Sequence, residues 1–228
     1  MVDQVDGVLF DLDDTLLNHS GAADRAFVQW ATEEHIDPNE RNRKLWREAE
    51  DRFPPAPHRG VTMEETRSLR MGNFLSRAVP DRPVSEPDDL AKKYAAYLTC
   101  YEDSWELYSD TLDCVRRLRE RFRVGILTNG ASLMQRRKLD HTGLGAAVDL
   151  VVVSEEIGYA KPAPEAFTMS CERLGVSAGC VLYVGDNPRI DIEGAVGAGL
   201  QAALIIRDAP RGERALEELT MLMLAKPR

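Results

Sequence analysis

Two aspartates follow a short apolar run near the start of the chain, and their spacing suggests a shared chemical role. Val8-Leu9-Phe10 leads directly into Asp11, and Asp13 follows two positions later. An uninterrupted apolar run is typical of a strand buried on both faces, where a charged side chain is costly unless it has a partner or a function. Residues two apart in an extended chain point to the same side. We therefore expect both carboxylates to face one spot at the carboxyl end of a central strand.

Polar residues also follow the later apolar runs that we predict to be strands. The polar residues at or after these strand ends are Thr128, Asn129, Gly130, Lys161, Asp186 and Asp191. The carboxyl ends of parallel strands lie at one edge of a sheet, which is where ligands bind in open α/β folds. We therefore expect this set to surface beside Asp11 and Asp13.

Phosphoryl transfer is the chemistry that these residue types can perform together. Three carboxylates, Asp11, Asp13 and Asp186, with Asp191 five positions further on, make a site of hard oxygen ligands. Mg²⁺ binds through one or two carboxylates with waters and a substrate phosphate. A lysine, a hydroxyl group and backbone amides supply positive charge and hydrogen-bond donors for a phosphoryl group. A carboxylate can also be the nucleophile and form an aspartyl-phosphate intermediate.

The two aspartates of the first motif suit different roles. Asp11 is the better-fixed nucleophile because it stands at the strand end. Asp13 can protonate the leaving oxygen and then deprotonate the attacking water, which requires it to be protonated while Asp11 is ionised. Each motif taken alone also fits a turn, a helix cap or a solvated charge. Their joint order at successive strand ends is what favours a catalytic site.

The elements that must position these residues follow a regular order. Apolar runs alternate with helical periodicity, which predicts a parallel sheet with helices on both faces, a Rossmann-like, doubly wound α/β core. The predicted strands cover residues 5–12, 124–127, 150–153, 180–184 and 202–206. Leu112, Val115, Leu118 and Phe122 are expected to form the apolar side of the helix before the second strand.

A helical segment interrupts this order directly after the first motif. Four amphipathic helices are predicted within residues 18–103, as a cap domain inserted into a core made of residues 1–17 and 104–228. Asp37-Pro38 is expected to begin the second helix, and Thr62 with Glu65 forms a capping box that begins the third. A tail helix is predicted from Glu213 onward.

Composition excludes several classes of partner. The net charge is −9, which argues against a nucleic-acid or anionic-membrane surface, because both require a basic face. The acidic start has no long apolar core, so we expect no signal peptide and a cytoplasmic protein. The cysteines are expected to be buried free thiols, because they lack the spacing of a metal site: Cys100, Cys114, Cys171 and Cys180.

The motifs together resemble those of a known family. In chain order they are Asp11-x-Asp13-x-Thr15, Thr128-Asn129-Gly130, Lys161-Pro162 and Gly185-Asp186-Asn187-x-x-x-Asp191. This set is similar to the four motifs of the haloacid dehalogenase-like hydrolase superfamily, in its phosphatase branch with a helical cap. The stretches around Thr128 and Lys161 are most similar to the house-cleaning nucleotidases and N-acylneuraminate-9-phosphatases.

The resemblance implies a role at each matching position. Asp11 would be the nucleophile and a metal ligand, and Asp13 would be the acid/base and bind the metal through its backbone carbonyl. Asp186 would bind Mg²⁺ and Asp191 would support the metal site. The phosphoryl group would be held by Thr128, Asn129, Gly130 and Lys161. The expected function is therefore a Mg²⁺-dependent phosphatase acting on a small phosphate ester, a nucleoside monophosphate or a sugar phosphate, as a monomer or homodimer.

Other functions share parts of this pattern. Family members that cleave carbon–halogen bonds lack the second aspartate of the first motif, and Asp13 is present here. A phosphomutase keeps all four motifs but returns the phosphate to a sugar. A non-catalytic phosphoryl-binding switch also has an aspartate at a parallel-sheet edge, but it lacks a long helical insert. A non-catalytic scaffold usually loses one of these side chains.

Residues of the helical segment are candidates for substrate specificity. We hypothesise that rings and cations of this segment contact the leaving group of the substrate, because the segment follows the nucleophile directly in the chain. The candidates are Trp30, Arg67, Arg70 and Tyr97. The alternative is that the two rings belong to the core of the bundle and that the two arginines form a solvated face.

Overall fold

The computed structural model describes residues 4–54, 62–83, 86–207 and 214–225. The chain clusters into two compact units. Met1–His19 and Trp105–Arg228 form one, called here the α/β unit, and Ser20–Ser104 form the other, the helical unit. The assignment of residues 1–17 and 104–228 to a hydrolase core and of 18–103 to a cap domain stays a prediction.

Five parallel strands form the sheet of the α/β unit, in the spatial order β3-β2-β1-β4-β5. The strands are β1 Gly7–Phe10, β2 Arg123–Thr128, β3 Leu150–Val153, β4 Val181–Gly185 and β5 Gln201–Leu204. The central strand β1 is buried along its whole length, as its apolar run predicts. Phe10 at its end is in register with Ile126 and Val184. The predicted doubly wound α/β fold is confirmed.

Helices connect the strands of the sheet. In the α/β unit they are α5 Thr111–Arg119, α6 Ser132–Thr142, α7 Leu144–Ala147, α8 Ser154–Ile157, α9 Pro164–Leu174, α10 Gly194–Gly197 and α11 Ala215–Leu224. Glu213, the predicted start of the tail helix, lies outside the described residues. The expectation that Leu112 lies on the apolar side of α5 is wrong, because Cys114, Val115 and Leu118 occupy that side and Leu112 is exposed.

One large apolar cluster supports the strand ends from one side of the sheet. It joins residues of β1, β2 and β4, including Leu9, Leu127 and Tyr183, to Phe167 of α9. All four cysteines are free thiols, and three are buried as predicted, while Cys180 is partly exposed. Among the described residues, none of the helices combines the length and apolarity that crossing a bilayer requires.

The helical unit contains four helices that follow each other in the chain. They are α1 His19–Glu33, which starts at the last residue of the α/β unit, α2 Glu40–Arg52, α3 Met63–Ala78 and α4 Pro87–Asp103. The capping box at the start of α3 is confirmed, since Thr62 Oγ1 accepts from the N–H of Glu65 and the Glu65 carboxylate accepts from the N–H of Thr62.

The predicted start of α2 is wrong by two residues. Asn39 is the N-cap, because its side-chain oxygen accepts a hydrogen bond from the N–H of Asn42 at 3.0 Å. The carboxylate of Asp37 instead accepts a hydrogen bond from the Asn39 side chain at 2.9 Å. Both residues are common helix N-caps, so the sequence alone did not distinguish them.

A cluster of aromatic rings forms the core of the helical unit. Trp30 and Tyr97 are buried, and both pack against Trp46, with ring centroids 5.8 and 4.6 Å away. Phe27 and Phe74 pack edge-to-face against each other in the same cluster. The structure supports the alternative interpretation, in which the rings of Trp30 and Tyr97 belong to the core of the bundle.

Arg70 is also an internal residue of the helical unit. Its guanidinium donates to the Tyr94 hydroxyl at 2.8 Å and to the carbonyl of Phe53 at 2.6 Å, and it lies 3.6 Å from the Glu50 carboxylate. These contacts join the end of α2 to α3 and α4. The role predicted for Arg70 in substrate binding is not supported, since its two terminal nitrogens serve this junction. Arg67 stands beside it, over the Tyr94 ring.

We expect Arg70→Met to lower the free energy of unfolding by about 2 kcal/mol, because the substitution leaves the partly buried Glu50 without its counter-ion and removes two hydrogen bonds. Burial already raises the pKa of Glu50 despite the opposing charge of Arg70. Urea unfolding followed by tryptophan fluorescence measures the change. Arg67→Met is the matched control, expected to cost no more than about 0.5 kcal/mol. Equal costs for the two variants would contradict this role of Arg70.

Candidate active site

Four of the predicted residues come together at the carboxyl edge of the sheet. Asp11 follows β1, Asp186 follows β4, Lys161 precedes α9, and Asp191 lies in a π-helical turn at Pro188–Glu193. Asp11, Asp186 and Asp191 each offer one carboxylate oxygen, and these three atoms lie within 4.8 Å of one another. We call these three residues and Lys161 the acidic cluster.

Lys161 is the positive charge of the acidic cluster. Its Nζ lies 2.6 Å from the Asp11 carboxylate and 2.7 Å from the Asp191 carboxylate. It also donates to the Tyr183 hydroxyl at 2.7 Å, and the residue is only 4 % exposed. Burial disfavours the charged form of the lysine. The two carboxylates outweigh that effect and raise the pKa of Lys161 above its ordinary value. The lysine is therefore a fixed ammonium group.

Negative charge is in excess in the acidic cluster, because it contains three carboxylates and one ammonium group. Burial raises the pKa of Asp11 to about 7, although Lys161 pulls it in the opposite direction. Burial and the neighbouring Asp191 raise the pKa of Asp186 to about 6. These shifts express the cost of holding carboxylates together away from water. The cluster therefore favours binding of an additional cation.

Local backbone features hold Asp191 in place. Its carboxylate accepts a hydrogen bond from the N–H of Asn187 at 3.0 Å. Gly185 makes this approach possible, since a Cβ at that position would come within 2.5 Å of the Asp191 carboxylate. A larger residue at the end of β4 would therefore clash with Asp191. The Asp191 residue is only 1 % exposed.

Asn129 and Gly130, predicted to bind phosphate, have partners within the protein. The Asn129 side chain accepts from the backbone N–H of Lys161 at 2.8 Å and donates to its carbonyl at 2.9 Å. The N–H of Gly130 donates to Ser154 Oγ at 3.1 Å. In this structure Asn129 positions the lysine backbone, and Gly130 joins the loop after β2 to α8. Phosphate binding at these two positions stays a prediction.

Asp13 does not join the acidic cluster with its carboxylate. Lys138 Nζ lies 2.7 and 2.8 Å from its two oxygens, and Gln135 Nε2 lies 3.0 Å from one of them. Burial favours the neutral carboxyl group, but the charge of Lys138 outweighs burial and lowers the pKa of Asp13 below its ordinary value. The expectation that Asp11 and Asp13 face one spot is wrong for their carboxylates.

The reason lies in where β1 ends. The strand stops at Phe10, and the N–H groups of Leu16 and Leu17 both donate to the carbonyl of Leu12. Asp13 therefore lies beyond the strand, in an isolated β-bridge with Leu17 before a turn at residues 14–16, where the alternation of the strand does not fix its side. The possibility that Asp13 binds a metal through its carbonyl oxygen stays a prediction.

Three polar residues of this region were missed in the sequence: Gln135, Lys138 and Tyr183. Gln135 and Lys138 are buried on α6 together with Leu139, at the spacing of one helix face. Polar residues at core positions of a helix directly after the Thr128 motif were a usable signal. Tyr183 gave no such signal, because a tyrosine within an apolar strand run is common.

The family comparison agrees with this geometry. The family model for haloacid dehalogenase-like hydrolases matches residues 5–199. The chain belongs to this family, and it is an enzyme of the hydrolase class. The family predicted from the four motifs is confirmed.

Characterised relatives align with most of the chain. A glyceraldehyde 3-phosphate phosphatase of Methanopyrus kandleri is 32% identical over 89% of this chain and 84% of its own length. The pyrimidine 5′-nucleotidase YjjG of Escherichia coli is 29% identical over 91% of this chain and 90% of its own length. Human N-acylneuraminate-9-phosphatase is 29% identical over 89% of this chain and 83% of its own length. The latter two are of the types that the motifs predicted.

A solved structure supports the fold over nearly the whole chain. The HAD-hydrolase YfnB of Bacillus subtilis, in a crystal form bound to magnesium, covers 98% of this chain and 100% of its own chain. The TM-score is 0.76 and the sequence identity is 26%.

Proposed function

We propose that this protein is a Mg²⁺-dependent phosphatase that hydrolyses a small phosphorylated metabolite, a nucleoside monophosphate or a sugar phosphate, through an aspartyl-phosphate on Asp11. The observation that carries the proposal is the acidic cluster, in which three carboxylate oxygens lie within 4.8 Å of one another and a buried lysine contacts two of the carboxylates. The relatives described above are named for phosphate esters of small molecules, which supports the substrate class.

The donor set of the acidic cluster fits Mg²⁺. Carboxylate oxygens are the ligands that Mg²⁺ prefers, and the cluster has more negative charge than Lys161 neutralises. Asp11 and Asp186 would hold the ion with support from Asp191, and the carbonyl oxygen of Asp13 is a further candidate ligand. When bound, Mg²⁺ would stabilise the charge that phosphoryl oxygens carry during transfer.

In the first step, an Asp11 oxygen attacks phosphorus and the bond from phosphorus to the ester oxygen breaks. Asp13 gives a proton to the leaving oxygen; this role requires its carboxyl group to leave Lys138 and Gln135 and to take up a proton once the substrate is bound. Thr128 and Lys161 hold the phosphoryl oxygens, with the lysine supplying the charge. In the second step, Asp13 takes a proton from water, the water oxygen bonds to phosphorus, and the bond to Asp11 breaks. Inorganic phosphate leaves and Asp11 is regenerated.

We expect the purified protein to release inorganic phosphate from p-nitrophenyl phosphate and from at least one nucleoside monophosphate or sugar phosphate. EDTA should abolish release, and added Mg²⁺ should restore it. A screen of phosphorylated metabolites measures this, with Asp11→Asn as the blank. Absence of turnover with every divalent metal would contradict the proposal and favour a switch or scaffold. Phosphate that moves only between positions of a sugar, with a bisphosphate as activator, would instead indicate a mutase.

A further inference from the structure

A buried arginine outside the acidic cluster contacts the loop that follows β1. Arg207 comes after the end of β5 at Leu204, and its side chain is only 5 % exposed. Its Nε and Nη2 groups both donate to the carbonyl oxygen of Thr15, at 3.0 and 2.7 Å. Thr15 belongs to the motif that also contains Asp11 and Asp13, so this arginine bonds directly to the backbone of that motif.

Residues at the start of α5 hold the rest of the guanidinium group. Its Nη1 lies 3.0 and 3.2 Å from the two carboxylate oxygens of Asp110, and its central carbon lies 4.0 Å from the centroid of the Tyr108 ring. Asp110 is itself held, because its carboxylate accepts a hydrogen bond from the N–H of Leu216 at 2.9 Å. The planar fork of an arginine can make several such contacts at once. The guanidinium group is therefore a fixed anchor for Thr15.

The loop after β1 depends on contacts of this kind, because strand pairing no longer holds it. The strand ends at Phe10, and residues 14–16 form a turn. The carbonyl of Leu16, next to Thr15, accepts from the N–H of Tyr108 at 3.1 Å and from the Thr111 hydroxyl at 2.8 Å. Residues that are distant in the chain thus set the course of this loop.

Thr15 also contacts the acidic cluster. Its hydroxyl donates to the Asp186 carboxylate at 3.4 Å, and the residue is completely buried. Asp186 is one of the residues proposed to hold Mg²⁺. A hydrogen bond to a ligating carboxylate orients it, and loss of such a partner typically lowers metal affinity or activity by about 10–100-fold.

We infer that Arg207 is a positioning residue, which fixes the backbone of Thr15 so that the Thr15 hydroxyl stays on Asp186 and keeps this carboxylate oriented for the metal. The inference rests on the proposed function. Arg207 acts through Thr15 and not on the phosphate ester. Loss of its guanidinium group should therefore loosen the loop and weaken Mg²⁺ binding, while the affinity for the ester changes little.

Backbone hydrogen exchange in EDTA is the first measurement, and it does not depend on a bound metal. The amides of Leu16 and Leu17 donate to the Leu12 carbonyl in the folded protein. In Arg207→Lys we expect them to exchange at least about tenfold faster than in the wild type, because local opening of the loop becomes easier. This variant keeps a positive charge beside Asp110, so it should fold, but it lacks the fork that reaches the loop. Exchange within β1 should stay unchanged.

Mg²⁺ binding to the metal-free protein, followed by isothermal titration calorimetry, is the second measurement. We expect Arg207→Lys to raise the Kd for Mg²⁺ about tenfold and to lower kcat on p-nitrophenyl phosphate by about 10–100-fold at saturating Mg²⁺, with KM within about threefold of the wild type. Arg119→Met is the matched control and should match the wild type in both measurements. Arg119 also bonds a carboxylate and a backbone carbonyl, those of Asp149 and Ala147.

A double-mutant cycle tests the route through Thr15. If Arg207 acts on the metal site through the Thr15 hydroxyl, Arg207→Lys should raise the Kd for Mg²⁺ less in a Thr15→Val background than in the wild type. Unchanged exchange of the loop, unchanged Mg²⁺ affinity in Arg207→Lys or full additivity in the cycle would each overturn the inference and leave the phosphatase intact. A wild-type protein that binds no Mg²⁺ and hydrolyses no phosphate ester would overturn the proposed function instead.

Discussion

Asp11→Asn should reduce phosphate release by at least about 10⁴-fold, the largest effect expected of any single substitution in this chain. The neutral amide cannot attack phosphorus as a carboxylate does, so no aspartyl-phosphate forms. Acid-quenched reactions with ³²P-labelled substrate should leave label on the wild-type protein and none on the variant. Asp6→Asn, at the opposite end of β1, is the control and should keep full activity.

The same substitution should change how stability depends on pH. The folded-state pKa of Asp11 is raised from 3.8 to about 7, so the native state binds this proton more tightly than the unfolded chain does. Stability from this group is full below about pH 4 and is lost as the pH rises through 7. Without metal, we expect the wild type to lose on the order of 2 kcal/mol relative to Asp11→Asn across this range. Denaturant unfolding in EDTA at several pH values measures it.

Two results would contradict this account of Asp11. Retention of more than about one hundredth of the wild-type kcat would remove Asp11 from the nucleophile role. The difference in unfolding free energy between wild type and variant should change between pH 4 and 8. If it stays constant, ionisation of Asp11 among the other carboxylates does not destabilise the folded state. The two measurements are independent, since one concerns chemistry and the other the cost of burying the charge.

Lys161→Met should lower kcat by about 10³-fold and destabilise the metal-free protein by about 3 kcal/mol. The ammonium group is proposed to hold the phosphoryl oxygens, so its loss removes charge stabilisation from the transfer step. It is also the counter-ion of Asp11 and Asp191, at 2.6 and 2.7 Å. Without the lysine, both buried carboxylates lose their counter-ion. Removing one partner of a buried ion pair is strongly destabilising.

Magnesium separates the two effects of this substitution. Added Mg²⁺ should raise the unfolding free energy of Lys161→Met by more than that of the wild type, because the cation would replace the missing charge, yet kcat should stay low. Lys93→Met, which removes the lysine paired with Glu34 in the helical unit, is the matched control for loss of a lysine ion pair. A Lys161→Met enzyme within tenfold of the wild-type kcat would contradict the role of the lysine.

The sequence predicted the framework of this protein well, because the framework depends on local patterns. Apolar runs are long enough to identify all five strands, and β3 has the predicted ends at Leu150–Val153. Parallel strands end at a common edge. The order of the motifs along the chain was therefore enough to predict that Asp11, Lys161, Asp186 and Asp191 lie close together. Thr62 and Glu65 predicted their capping box because both partners lie within one helical turn.

Hydrogen bonds between elements that are distant in the chain could not be predicted from the sequence. The Asp13 carboxylate, Asn129 and Gly130 were all expected to serve the ligand directly, and each is bound to another part of the chain. Trp30, Tyr97 and Arg70 were expected at the substrate and instead hold the helical bundle together. In every case the residue type was compatible with both roles.

What the amino-acid sequence determined alone is the fold, the family and the residues that share the edge of the sheet, because periodicity and strand direction fix these without knowledge of distant contacts. Only the tertiary structure decided which side chain each polar group meets. Beyond the end of β1 at Phe10, the Asp13 carboxylate meets Lys138 rather than the acidic cluster. Such a choice depends on angles within a few residues and on side chains more than a hundred positions away, and neither is encoded in a local pattern.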